Sequence, residues 1–496
     1  MSIAIIIVYT LALALLFFYC LMQFSLAIHY IKYKKNLAEN PQDLKMDVPE
    51  SEYPFVTVQL PIYNELYVIE RLIDSICEFD YPKDKFEIQV LDDSTDETVE
   101  LVAKRVAEWK QKGINIEQIR RIGKDRVGFK AGALQGGLSK AKGKYIAIFD
   151  ADFVPYPDFL LRTIPFFMRD DKVGVVQTKW EHLNKDYSVL TKMQAFALDM
   201  HFTIEQSGRN AAGYFINFNG TAGLWRREAI DEAGGWMSDT LTEDLDLSYR
   251  AQLKGWKFKY VETVVSPSEL PTDMNAVKSQ QFRWTKGGAE TAKKMGRTVL
   301  RADIPLKVKL HAIAHLFNTT NYIFIFITGI LSVPLLLIKN VEIQFNYFKY
   351  ASIFLIGSIA IAYAYFVSTH QREITSSRTW KIFLTRFPVF LAITMGLSLH
   401  NAWAVFKGWL GHKSAFVRTP KFNIISTKDI WKNKKYIPKK IHPITYIEGV
   451  LTLYFLSGVV MGIYYGDYGL LPFHIMATIG FGLIFYFSLK HARIKS

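Results

Sequence analysis

Residues 145–153 read YIAIFDADF, and this stretch decides the fold. Tyr145 to Phe149 form a short β-rich run of the kind found in a fully buried strand, and Asp150, Ala151 and Asp152 close it. The same arrangement occurs upstream, where Phe86–Leu91 runs into Asp92, Asp93 and Ser94. Working outward, Val56–Leu60, Ile116–Arg121 and Val173–Thr178 read as further strands. Glu65–Phe79, Asp96–Gln111, Lys130–Lys140 and Pro157–Met168 fill the gaps with helical periodicity. The alternation predicts an α/β fold with a mostly parallel sheet and helices on both faces. In such sheets ligands bind beyond the carboxyl ends of the strands, where these acidic turns lie.

On either side of this region the sequence changes character. Ser2–Ile28 is almost wholly apolar and long enough to span a bilayer. It lacks a basic n-region, and basic residues follow it in His29–Asn36, so it reads as a retained anchor with the following domain in the cytosol. Apolar runs recur at 316–338, 350–369, 387–406, 449–465 and 470–489. The loop from Lys407 to Tyr446 carries ten Lys and Arg against one acid, Asp429. If 387–406 crossed the membrane, that loop and the basic tail would both lie outside, against the charge bias. Arg386, Pro388, His400 and Asn401 favour an interfacial course for that run.

The expected organisation is therefore an anchor (1–30), a cytosolic domain (31–310), two spans (311–370), an interfacial helix with a cytosolic loop (371–445), and two spans with a tail (446–496). The protein is expected to be integral to a plasma or inner membrane. The last apolar run ends at Leu489, seven residues before Ser496, so no appended cyclic-diguanylate sensor is expected in cis. Net charge is +14, and much of the excess flanks the apolar runs. No zinc-type spacing or nucleic-acid motif accompanies it, which excludes a nucleic-acid partner. Cys20 and Cys77 form no disulfide framework.

Asp150 and Asp152, two apart in an extended segment, would point the same way and converge on one ion. Carboxylate oxygens without a soft ligand nearby suit Mg²⁺ or Mn²⁺ bridging a diphosphate. A lone Asp-X-Asp is more often a plain turn, so the neighbouring elements decide. Thr242, Glu243 and Asp244 open a helical pattern that Thr242 is placed to cap. Gln280-Gln281-Phe282-Arg283-Trp284 offers a guanidinium for phosphate and an indole for a sugar face, and Lys130 is a second phosphate contact. Tyr322, Phe324 and Tyr363 in the apolar runs face either sugars or lipid.

In order, Pro61-Ile62-Tyr63-Asn64-Glu65, Asp92-Asp93, Lys130-Ala131-Gly132, Asp150-Ala151-Asp152, Asn219-Gly220-Thr221, Thr242-Glu243-Asp244 and Gln280-Gln281-Phe282-Arg283-Trp284 resemble the processive members of glycosyltransferase family 2. These are the cellulose, mannan and related β-glycan synthases. The resemblance covers roughly residues 50–440, and the Gln-Gln-aromatic-Arg-Trp form is closer to the cellulose-synthase-like mannan and glucan synthases. It implies a glycosyltransferase-A-type, Rossmann-like domain and an inverting transfer from UDP-glucose or GDP-mannose. Tyr63, Glu65 and Asp93 would then hold base and ribose, and Lys130 the diphosphate. Asp150 and Asp152 would serve nucleotide and metal, and Asp244 would be the general base. Gln280, Arg283, Trp284, Gly220 and Thr221 would line the junction of acceptor and diphosphate.

Phe416, Thr419 and Lys421 match the gating loop Phe-X-Val-Thr-X-Lys of cellulose synthases, with Arg418 in place of its Val. The implied product is a β-linked, β-1,4 glucan, mannan or glucomannan, made among membrane lipids and passed outward. The alternative is a single sugar added to a lipid such as diacylglycerol or ceramide, which shares the metal site and the base. A silent scaffold is disfavoured because every acid the chemistry needs is present.

Overall fold

The computed structural model describes residues 2–39, 44, 46–341, 347–372, 375–414, 417–432, 434–437 and 441–493. Among the described residues seven strands build the α/β domain: β1 (Val56–Ile62), β2 (Phe86–Asp92), β3 (Ile116–Arg120), β4 (Tyr145–Ile148), β5 (Val173–His182), β6 (Gly223–Arg226) and β7 (Lys257–Ser268). They form one sheet in the order β3-β2-β1-β4-β6-β5-β7. β1 pairs in parallel with β2 and β4, β2 with β3, and β5 with β7. β6 runs antiparallel to both β4 and β5, so the sheet is mostly but not wholly parallel.

The strand sequences explain the pairing. Helices cover both faces, and β1, β2 and β4 are buried along nearly their whole length, which is why they read as apolar runs without alternation. The exceptions satisfy each other across the ladder: Thr57 Oγ1 donates to Glu87 Oε1 at 2.7 Å. One core, including Leu60, Ile73, Phe149 and Phe159, lies on one face. A second, including Leu134, Ile148, Trp225 and Leu247, lies on the other.

Among the described residues six helices are long and apolar enough to cross a membrane: Ser2–Glu39, Asn321–Val341, Leu355–His370 with the short turn before it, Ser376–Trp409, Ile444–Tyr464 and Leu471–Ala492. The first packs its C-terminal half on the α/β domain, where Leu26 and Tyr30 join Phe196 and Ile204 in one cluster. The fourth starts eleven residues before the expected apolar run, at Ser376, and both of its ends touch the catalytic side. Near one end Phe383 joins the Leu26–Tyr30 cluster; at the other, Lys293 Nζ donates to Trp409 O at 2.7 Å. Midway it presses on the last helix so closely that a Cβ on Gly396 would lie 2.4 Å from Gly480 O. Tyr363 is 40% exposed, and its ring lies 5.6 Å from that of Phe24 on the first helix.

Candidate active site

The chain leaves β4 at Phe149 and turns at once, with Phe153 N–H donating to Asp150 O at 3.1 Å. Asp150 and Asp152 therefore sit on a turn, a correction to the extended segment the spacing suggested. Both still face one cavity of about 330 Å³. Thr221 stands behind, its Oγ1 accepting from Asp150 N–H at 2.8 Å. Lys130 enters from the first turn of helix Phe129–Leu138, reached through Gly128 (φ 83°) and Phe129 (φ 47°), a positive φ that is uncommon for a bulky residue. Its Nζ lies 2.5 Å from Asp150 Oδ1 and donates to Gly220 O at 2.8 Å. Burial pushes the Lys130 ammonium down, but Asp150, Glu243 and Asp244 together outweigh it and hold it above its ordinary value.

Asp244 lies in the first turn of helix Glu243–Leu253. Thr242 does not cap this helix, a correction to the sequence expectation; its hydroxyl meets Thr291 Oγ1 instead, 3.1 Å away. Asp244 Oδ1 accepts from Leu245 N–H at 2.8 Å. A Cβ on Gly220 would come within 2.9 Å of Asp244 Oδ2, and Gly220 has φ 78°, so glycine is required there on both counts. Burial raises the Asp244 carboxyl to about 7, the charge of Glu243 adds to this, and Lys130 opposes it. Glu243 is itself raised by burial. A carboxylate poised near neutrality in a cleft is suited to accept a proton.

Gln280, Arg283 and Trp284 project from helix Met274–Arg301 and line the same cavity. Arg283 Nη2 donates to Thr419 Oγ1 at 2.8 Å, tying that helix to the loop above the site. Lys421 Nζ lies 2.6 Å from Asp152 Oδ2 and donates to Glu269 O at 2.5 Å. The Glu269 carboxylate accepts from Phe422 N–H at 2.8 Å and Asn423 N–H at 2.9 Å, anchoring the loop. Of the expected loop residues, Thr419 and Lys421 close the cavity, and Phe416 lies outside the described residues.

At the far end of the cavity Asp93 is held by Arg121, whose Nε donates to Oδ1 at 2.9 Å and whose Nη2 reaches Oδ2. Tyr63 lies beneath the guanidinium of Arg126, 5.3 Å from its ring centroid. Burial raises Glu65 to about 7, opposed by Arg418, whose Nη1 is 3.5 Å from Oε1. The structure thus gathers every expected site residue among those described, with Thr221 one layer behind. Sequence reading did not assign Arg121, Arg126, Glu269 or Arg418. Only Arg418 carried a signal, as the departure from the gating-loop pattern.

A second group missed from sequence lies toward the membrane. His201–Gln206 forms a π-helical turn, a feature that concentrates at functional sites. Glu205 there accepts from Gln23 of the first apolar helix at 2.6 Å and pairs with His201 Nδ1 at 2.7 Å. His201 Nε2 is 3.3 Å from Asn219 Nδ2, beside Gly220.

The two aspartates fit a divalent ion. Their oxygens are hard donors facing one cavity, and each is now neutralised by an ammonium, Lys130 on Asp150 and Lys421 on Asp152. Among the described residues no set of three His, Cys, Asp or Glu forms a closed cage. The remaining ligands would come from phosphate and water, the usual arrangement for Mg²⁺.

Residues 54–287 match the family described as glycosyltransferase like family 2. Glucomannan 4-beta-mannosyltransferase 9 of Arabidopsis thaliana is 36% identical over 79% of this chain and 72% of its own length. Glucomannan 4-beta-mannosyltransferase 1 of Cyamopsis tetragonoloba is 34% identical over 92% of this chain and 87% of its own. Probable glucomannan 4-beta-mannosyltransferase 7 of Oryza sativa subsp. japonica is 48% identical, and there the match spans 54% of this chain and about half of the relative, 46%. Among solved structures, the mannosyltransferase PcManGT from Pyrobaculum calidifontis, in complex with GDP-Man and Mn²⁺, superposes with a TM-score of 0.50 at 20% identity. That match covers 80% of this chain and 100% of the other, and is a likeness of fold.

Proposed function

The chain belongs to glycosyltransferase family 2, as a membrane-bound hexosyltransferase of the cellulose-synthase-like kind, and from that premise we propose that it polymerises a β-1,4-linked mannan or glucomannan from GDP-mannose. The observation that carries this is one cavity in which the aspartate pair, the Asp244 base and the Gln-Gln-Phe-Arg-Trp helix converge under a cationic loop. The mannosyl donor follows the 4-beta-mannosyltransferase activity for which the relatives are named.

The transfer needs one base. Asp244 takes the proton of the acceptor hydroxyl as its oxygen attacks the anomeric carbon from the face opposite the diphosphate, and the carbon–phosphate-oxygen bond breaks with inversion. Lys130 and Arg283, which line the same cavity, stabilise the growing charge of the leaving diphosphate. Asp150 and Asp152 would hold Mg²⁺ or Mn²⁺, which supplies further positive charge at the diphosphate. Trp284 offers its ring to the acceptor sugar.

Five helices cross the membrane and Ser376–Trp409 lies along its inner interface. This reading is supported by the contacts of both its ends with the catalytic side and by the basic loop that follows. The catalytic domain then faces the cytosol of a plasma or inner membrane, and the growing glycan passes between the spans.

The test is labelled transfer by the purified full chain in detergent, with GDP-mannose or UDP-glucose and either Mg²⁺ or Mn²⁺. A long product cut by β-mannanase is expected from GDP-mannose. A single-sugar lipid as the sole product would overturn polymer synthesis, and a polymer from UDP-glucose alone would overturn the mannosyl donor.

A further inference from the structure

The loop residue that departs from the family pattern is the one with unused hydrogen-bonding capacity. Arg418 Nη1 donates to Tyr63 O at 3.2 Å and lies 3.5 Å from Glu65 Oε1. Its guanidinium rests on the ring of Tyr436, 4.1 Å from the centroid, and the Tyr436 hydroxyl is fixed by Asp96. The plane of the guanidinium is therefore set by one stacking partner and one anchored nitrogen. Nε and Nη2 have no hydrogen-bond partner among the described residues, and with the loop placed as it is here they are shut from solvent, so a ligand reaches them only as the loop gives way. A buried cation with two orphaned N–H groups is unfavourable unless something else completes it.

Position says what that is. Along the loop, Thr419 and Lys421 meet Arg283 and Asp152, at the diphosphate end of the cavity. Arg418 meets Tyr63 and Glu65, at the end where Tyr63 and Asp93 await the base. Nε and Nη2 form one edge of the guanidinium, two parallel donors. Guanine presents two parallel acceptors, O6 and N7, and this is the commonest specific pairing of arginine with a base. Adenine places a donor beside N7, and uracil has O4 without a second acceptor next to it, so neither completes the fork.

We propose that Arg418 is the residue that reads the donor base, selecting guanine through O6 and N7. This rests on the GDP-mannose reading above and gives it a residue. Arg126 plays a different part: lying over the face of Tyr63, it would press on whichever base enters and would not distinguish among them.

The test is competition of free nucleotides against labelled GDP-mannose on the purified full chain. In the wild type, GDP and inosine diphosphate, which keeps O6 and N7, should bind alike. 7-Deaza-GDP should bind about tenfold more weakly, and ADP and UDP about 100-fold, the range expected for a lost bidentate base contact. Arg418→Val should bring the GDP to UDP ratio to within about threefold, and Arg418→Lys should recover only part of it. Arg126→Ala should weaken GDP and UDP equally.

A wild type that prefers UDP overturns the GDP-mannose reading before any variant is made. A GDP-selective wild type whose ratio survives in Arg418→Val overturns the assignment of Arg418 alone, as does equal loss of GDP and UDP, which would mark a phosphate contact. Equal binding of GDP and 7-deaza-GDP overturns it without reliance on a folded variant.

Discussion

On the floor of the cavity, Lys130, Asp150 and Asp244 sit at helix and strand ends whose backbone is held by a buried sheet. On its roof, Arg418, Thr419 and Lys421 sit on a segment with neither helix nor strand, held by side chains that reach down to the floor. The floor is continuous with the hydrophobic core, which Phe149 and Ala151 join on either side of Asp150. The roof depends on carboxylates that have a second use: Asp152 pairs with Lys421 and Glu65 with Arg418, yet both face the donor pocket. An arriving nucleotide-sugar with its cation must compete for those same groups. The floor is thus built for chemistry and the roof for exchange, and the two should respond differently to substitution.

The largest effect is expected on the floor. Asp244→Asn keeps the shape of the first helical turn but removes the proton acceptor, so transfer should fall by about 10²–10⁴-fold. Donor binding, measured by nucleotide competition, should stay within about threefold, because an amide conserves volume and nothing on the roof is touched. A variant that still polymerises at a rate near wild type would remove Asp244 from the role of base.

The roof should break less sharply. Glu269 is buried, raised by burial and opposed by Lys421, and accepts two loop N–H groups. Glu269→Gln loses the charge but keeps one acceptor, and charge-assisted bonds of this kind are worth about 1.5–3 kcal/mol each. KM for the donor should rise about tenfold to 100-fold with kcat changed far less, and protease cleavage between 417 and 437 should accelerate. Unchanged KM together with reduced kcat would mean that the loop acts in the chemical step and not in donor retention.

The acid limb of the pH profile separates the two regions again. Asp244 is raised to about 7 and acts as base only when ionised, so by itself it holds kcat/KM level above pH 7 and lowers it about tenfold per unit below. Glu65 is raised to about 7 as well and faces the donor, which would steepen the limb. In Glu65→Gln a limb of single slope should survive. If it vanishes, the ionisation belongs to Glu65, and the limb reports donor binding.

The floor was legible in the sequence because it is local. The runs Phe86–Leu91 and Tyr145–Phe149 end on acids, and the sheet makes strand ends into a site. β6 was not legible: four residues between Gly223 and Arg226 are too short to show a period, and they pair antiparallel inside a parallel pattern. The Thr242 cap failed because tertiary packing offered its hydroxyl Thr291, a better partner than its own helix. The roof was half legible, through Thr419 and Lys421. Glu269 reads as an ordinary acid before Leu270-Pro271, and its partners lie more than 150 residues away. The pairing of Arg418 with Glu65 spans more than 350 residues, a distance over which no periodicity carries information.

The smallest effect concerns the outer margin of the roof, where Lys435 Nζ pairs with Glu97 Oε2 at 2.6 Å. Its distance is as short as that of Lys421 to Asp152, and by geometry alone the two pairs would count equally. They differ in surroundings: Lys435 and Glu97 are 49% and 62% exposed, whereas Lys421 and Asp152 are 9% and 14% exposed. Water and salt screen the outer pair, and such pairs commonly contribute nothing measurable. Lys435→Ala should therefore leave KM, kcat and loop cleavage unchanged, at low and high salt alike. Lys421→Ala under the same conditions should raise KM. A Lys435→Ala variant that matched Lys421→Ala would mean that the roof is held along its whole length, and that burial does not divide its working contacts from its incidental ones.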